Sequence, residues 1–279
     1  MKHPTTALVL ILGGYLVGCG DDGMAGIDGS LLRPDGDMDL DLDGIKDDVD
    51  NCPASTNAFQ GNEDGDKFGD ACDPCPIISD DNPPDGDNDG VADACDPKPI
   101  MFGDRIAFFE GFHQGKPSGW DEVGTTWGAA SDALTANLTG AGSFALIVTD
   151  RTRETITAEI TVVSAAGAAS QVGVLDNLLQ NGTPAVACTI TGAPAVRVYA
   201  TANGTGAVSP TFELTAGQTY QVRMQRENST YTCTARNTAS AATATATTNI
   251  ALNNTPYLSG LTINAANMRV RWFMIVESL

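Results

Sequence analysis

Three short runs of this chain place a carboxylate or an amide at every second residue and again at two later fixed positions. They are Asp39-x-Asp41-x-Asp43-Gly44 with Asp47 and Asp50, Asn62-x-Asp64-x-Asp66 with Asp70 and Asp73, and Asp85-x-Asp87-x-Asp89-Gly90 with Asp93 and Asp96. Between Asp35 and Asp96 there are 20 acidic residues against only Lys46 and Lys67, a local charge of −18 in a chain whose total is −20. A stretch with so much like charge and so few apolar side chains stays expanded unless a cation neutralises it. Counted from the first residue of each run, the oxygens fall at positions 1, 3, 5, 9 and 12. Calcium takes six to eight hard oxygen ligands at roughly 2.3–2.6 Å, and a tightly turning loop with an oxygen at alternate residues can aim several at one ion. The main-chain carbonyls of Ile45, Phe68 and Val91, at position 7, are expected to add one oxygen each, with Asp50, Asp73 and Asp96 closing the shell. At least about three ions follow, one per loop. The middle loop is expected to be the weakest, because Asn62 replaces the first acid and Lys67 the turn glycine.

An EF-hand would need flanking helices and usually Glu at position 12. Here position 12 is Asp, and the flanks Asn51-Cys52-Pro53 and Asp73-Pro74-Cys75-Pro76 break helices. A plain acidic linker would not keep one register three times. A zinc or redox reading of Cys72-x-x-Cys75 lacks histidine partners, since only His3 and His113 occur in the chain. With Gly69-Asp70-Ala71-Cys72-Asp73 and Ala92-Asp93-Ala94-Cys95-Asp96, the segment closely resembles thrombospondin type 3 repeats. That resemblance implies loops wrapped around calcium ions in place of an apolar core, with disulfides joining cysteines in sequence order. It therefore implies Cys52–Cys72 and Cys75–Cys95, two pairs with the same spacing.

The N-terminus has a short basic start (Lys2, His3) and an apolar run from Ala7 to Val17, too short to span a bilayer and typical of a secretory signal. Its end, Leu16-Val17-Gly18-Cys19, resembles the bacterial lipobox, which implies cleavage before Cys19 and acylation of that residue. We therefore expect a signal peptide at 1–18, a flexible tether at 19–34 and calcium repeats at 35–96, in an exported lipoprotein of a Gram-negative outer membrane or cell surface. Setting Cys19 aside leaves six cysteines, an even number suited to disulfides in an oxidising compartment.

After a linker at 97–104 the composition turns to Thr, Ala, Val and Gly, and from Pro97 onward 12 acidic residues face 11 basic ones. That balance suggests no nucleic-acid partner. Short segments of alternating polarity, such as Tyr220, Val222 and Met224 between Gln221, Arg223 and Gln225, read as half-buried strands, so 105–279 is expected to be an antiparallel β-sandwich. The chain as a whole is then mostly β. Strands are expected at 105–110, 143–149, 154–163, 171–176, 185–190, 196–200, 219–226, 230–236 and 268–277, with Thr238 to Thr248 as a loop or edge strand. The order Phe108-Phe109-Glu110-Gly111-Phe112, Trp120, Trp127, Gly260-Leu261 and Arg271-Trp272-Phe273-Met274-Ile275-Val276 resembles laminin-G-like, concanavalin A-like jelly-roll sandwiches. Cys188 and Cys233 lie in expected strands and are expected to pair across the sandwich.

Sandwiches of this kind include lectin-type modules and glycoside hydrolases, so the fold does not choose between them. Hydrolysis needs two carboxyl groups at defined separation. Glu-x-Asp-x-Glu on one strand is absent, and Glu154 and Glu159, five residues apart, point to opposite faces of a straight strand. We expect a non-enzymatic recognition module for a glycan or a surface protein, carried on a calcium-stiffened spacer. Trp120, Trp127, Tyr199 and Tyr257 are the aromatic candidates for sugar stacking, and His113 is expected to be an exposed loop residue.

Overall fold

The computed structural model describes residues 38–279 apart from 119, 124–126, 131, 138–140, 149–152, 179–185, 194, 201–205, 252–256 and 279. The expected signal peptide, tether and Cys19 lie outside the described residues. Fifteen strands, numbered along the chain, form two antiparallel sheets. One sheet runs β13 (Thr243–Asn249), β12 (Thr230–Asn237), β11 (Thr219–Glu227), β6 (Arg153–Ala165), β15 (Ala266–Ser278), β4 (Leu134–Asn137) and β3 (Trp127–Ala129), with β1 (Asp104–Glu110) paired to the C-terminal half of β15. The other runs β10 (Gly206–Pro210), β9 (Ala195–Ala200), β8 (Val186–Thr191), β7 (Gln171–Leu178), β14 (Tyr257–Asn264), β5 (Ala141–Val148) and β2 (Asp121–Val123).

The sandwich follows from the alternation. Along β11 every second residue is buried, and Tyr220, Val222 and Met224 meet Val172, Val174 and Val198 of the facing sheet in one core. Cys188 of β8 and Cys233 of β12 are bonded across the two sheets. The nine expected strands are all present. The Ala/Thr segment supplies β13, an edge strand whose threonines pair with those of β12 through hydroxyl contacts of 3.1 Å. The sequence reading passed over β2, β3, β4, β10 and β14, mostly short strands whose two-residue period is brief. Gly217, in the turn that precedes β11, has φ +80°.

The segment before β1 has no helix among its described residues. Its disulfides are Cys52–Cys72 and Cys75–Cys95, as the repeat resemblance implied. It does not stand away from the sandwich as a free spacer. Cys75, Val91, Ala92 and Cys95 form a second apolar cluster with Trp272, Met274 and Val276 of β15, backed by Ile77, Ile106 and Phe109. The reason lies in a β-bulge: β15 pairs Val270 with Ile160 and Trp272 with Glu159, leaving Arg271 as an extra residue. Before the bulge Met268 and Val270 face the main core; after it Phe273 and Ile275 do, so Trp272, Met274 and Val276 turn outward. A strand buried on both faces reads as an unbroken apolar run, which is the character of Trp272 to Val276.

Candidate calcium loops and their seat on the sandwich

A 23-residue step separates Asp39, Asn62 and Asp85, and the same hydrogen bonds recur at each step. The position 5 carboxylates turn the loop. Asp43, Asp66 and Asp89 accept from the N–H of Ile45, Phe68 and Val91 through one oxygen, and from the N–H of Asn57, Asp80 and Gly103 through the other. At position 12, Asp50, Asp73 and Asp96 accept from the N–H of Cys52, Cys75 and Lys98, which fixes the exit toward the disulfide or the linker. Residue 4 of each loop, Leu42, Gly65 or Asn88, has positive φ, as do Gly44 and Gly90 at position 6.

The position 9 carboxylates also meet the backbone. Asp47, Asp70 and Asp93 each use Oδ1 to accept the N–H of residue 2 of their own loop, Leu40, Glu63 and Gly86, at 2.7–2.8 Å. They brace the loops, and none belongs to the carboxylate groups that converge. Those groups are Asp39, Asp41 and Asp43; Asp64, Asp66 and Asp73; Asp85, Asp87 and Asp89; and Asp89, Asp96 and Asp104, with ligand atoms in each lying within 4.8 Å of one another.

The oxygens in these groups fit a hard cation. Asp41 Oδ2, Asp64 Oδ2, both oxygens of Asp87, Asp96 Oδ2 and Asp104 Oδ2 are buried and accept no hydrogen bond, and the same holds for Asp50 Oδ2 at position 12 of the first loop. Buried acceptors left without a donor are costly and rare, and a divalent ion is the partner that this donor set suits. Burial, with Asp66 and Asp64 nearby, pushes Asp73 up to about 6. Burial and the adjoining Asp104 side chain push Asp96 to about 7. A cation held among these groups would favour their ionised form and so oppose both shifts.

Asp104 was not anticipated. It opens β1 and is 4 % exposed, and its own N–H donates to Asp89 Oδ2 at 2.6 Å, so the last loop and the first strand share a carboxylate group. The only sequence signal is that Asp104 stands one 23-residue step after Asp81. In the middle loop the equivalent contacts differ. The N–H of Gly44 and Gly90 donates to the position 1 side chain, whereas that of Lys67 donates to Asp81 Oδ1, and Lys67 Nζ bonds the Asp81 carbonyl. Asn62 turns its amide to the Asp66 carbonyl. At positions 1 and 6 the contacts of the middle loop therefore differ from those of its two neighbours.

The middle loop is also tied to the sandwich by charge. The bulged Arg271 bonds Glu63 through Nε and donates from Nη2 to the Glu63 carbonyl at 3.0 Å. Burial pushes Glu63 up to about 7, opposed by Arg271. His113 is an exposed turn residue, as expected, and its Nε2 lies 3.3 Å from Glu63 Oε2 and 3.5 Å from Asp70 Oδ2. Trp120 and Trp127 are core residues, 8 % and 1 % exposed, and present no face to a ligand. Tyr199 on β9 donates to Gln171 Oε1 at 2.8 Å. The side chain of Tyr257 lies outside the described residues. Glu154 points inward beside Asp176 of the facing sheet, whereas Glu159 faces Arg271 outside, so they form no pair.

Residues 36–60 match the thrombospondin type 3 repeat. No curated protein matches the chain. Among solved structures, the winged bean acidic lectin, complexed with methyl-alpha-D-galactose, aligns with 63 % of this chain and 98 % of its own at a TM-score of 0.50 and 8 % identity. A carbohydrate-binding module, CBM66 from Bacillus subtilis, aligns with 57 % of this chain and 96 % of its own at a TM-score of 0.46 and 13 % identity. The sandwich therefore has a lectin-like fold, and the segment before it carries a calcium-binding type of repeat.

Proposed function

We propose that this chain is a calcium-dependent glycan-binding protein in which the repeat segment orders one face of a lectin-like sandwich. The observation that carries this reading is the seating of the last two loops on β15 and β1, which joins the cation groups to the sandwich through Val91, Ala92 and Asp104. Calcium then acts as a structural cofactor. Asp39, Asp41 and Asp43, Asp64, Asp66 and Asp73, and Asp85, Asp87, Asp89, Asp96 and Asp104 would hold the ions, with the carbonyls of Ile45, Phe68 and Val91 completing the loops. In this reading the protein binds and does not hydrolyse. Printed glycan arrays probed in calcium and again in chelator test it: binding in calcium that chelator abolishes is expected, and silence across the array in calcium refutes it.

The same reading places the protein on the exterior of a Gram-negative cell through a lipid on Cys19, supported by Leu16-Val17-Gly18-Cys19 after an apolar run. Metabolic labelling with an alkyne fatty acid tests it: label on the natural protein and none on Cys19→Ala is expected, and an unlabelled natural protein refutes it.

A further inference from the structure

A cavity of about 410 Å³ opens where the first two repeats meet the end of β1. One wall is the Thr56-to-Phe59 turn, whose Phe59 ring is 72 % exposed, although an aromatic ring in water is held there at the expense of apolar hydration. The other walls bring Phe109, Asp70, Glu110, His113 and Gln114.

The polar side is fixed in place. A Cβ built on Gly111 would fall 2.7 Å from His113 Nε2, and one on Gly61 would fall 2.9 Å from Asp70 Oδ2, so the imidazole and its carboxylate sit against two positions that leave no room for a side chain. Asp70 accepts the Glu63 N–H and Glu110 the Phe112 N–H, each at 2.8 Å, so both carboxylates are braced while retaining acceptor capacity. The aromatic wall hangs on the first loop. Asp43 Oδ2 accepts the Asn57 N–H at 2.8 Å, and Asp50 Oδ1 accepts Gln60 Nε2 at 2.7 Å, so two acids of that loop position the turn carrying Phe59.

Braced acceptors, an amide that can donate and accept, and a fixed aromatic face call for a ligand with an apolar face and several hydroxyls. A hard metal cation could use the carboxylates and the Gln114 carbonyl but would leave the Phe59 ring and the Gln114 amide N–H groups without a role. We infer that this cavity is the saccharide site: one sugar residue stacks on Phe59, its hydroxyls bonded to Glu110, Asp70 and Gln114. The inference rests on the glycan-binding reading above and assigns it a place outside the sandwich core. It also gives calcium a scaffolding role, ordering the Phe59 wall without touching the sugar.

The test uses the full chain in calcium on an array of neutral and acidic oligosaccharides, followed by titration of whichever glycan binds. Phe59→Ala and Gln114→Ala are each expected to weaken that binding about tenfold, the loss of one stacked ring or one well-placed polar contact. Phe59→Tyr is expected to retain it, and the thermal midpoint of Phe59→Ala is expected to be unchanged, because the ring is exposed. Natural affinity in both Phe59→Ala and Gln114→Ala would overturn this location and leave the glycan-binding reading standing. Silence of the natural protein across the array would overturn both.

Discussion

Val91→Ala separates the docking of the last calcium loop from its coordination chemistry. Val91 is 1 % exposed and packs against Trp272, Met274 and Val276, while the atom expected to meet calcium is its main-chain carbonyl, which the substitution leaves in place. Removing two methyl groups from that contact costs about 1.5 kcal/mol, at ~0.8 kcal/mol per buried carbon with incomplete closure of the space. If the loop orders only when it both binds calcium and docks, that loss lowers its apparent calcium affinity roughly tenfold. Tryptophan fluorescence reads the event. Of the three tryptophans, Trp120 and Trp127 belong to the main core, and Trp272, 2 % exposed, lies under the loops. Chelation is expected to shift the emission to the red as Trp272 becomes wet, and Val91→Ala should move the midpoint of recovery to about tenfold higher calcium. An unchanged midpoint, or emission indifferent to chelator, would refute the coupling of loop and sheet.

Asp104→Asn should weaken calcium binding at the junction of the last loop and β1 about tenfold while leaving the first loop unaffected, as isothermal titration would resolve. Removing the inter-sheet bond by Cys188→Ala with Cys233→Ala opens a loop of 45 residues and should lower stability to urea by about 4 kcal/mol; a loss below about 1 kcal/mol would show that the disulfide contributes little. Glu154, on β6 between Arg226 of β11 and Glu277 of β15, is held well above the carboxylate range by burial, then by Asp176 facing it from β7. Its folded form binds the proton more tightly than its unfolded form, so its contribution to stability is present at low pH and is lost as pH rises from the unfolded value through the raised folded one. Glu154→Gln should therefore raise the neutral-pH melting temperature by a few degrees and flatten its decline as pH rises above the ordinary carboxylate range; an unaltered profile would contradict this.

The amino-acid sequence by itself determined the three loops, through oxygens at fixed spacing, and the β-sandwich, through apolar residues at alternate positions. The two disulfides within the loops followed from the resemblance to thrombospondin type 3 repeats, and the crossing disulfide from two cysteines in expected strands. The lower negative charge of the middle loop is likewise legible in Asn62 and Lys67. What tertiary structure alone decided is where the loops rest and which acids they use. The bulge at Arg271 reverses which side chains of β15 face inward, and no alternation pattern locates a single inserted residue in a run that is apolar throughout. That reversal exposes Trp272, Met274 and Val276 to the repeat segment, turns an expected spacer into a covering layer, and brings Asp104 to Asp89 and Asp96. The path of the chain also puts the N–H of residue 2 within reach of Asp47, Asp70 and Asp93, a contact across seven residues that the spacing of the acids alone does not announce.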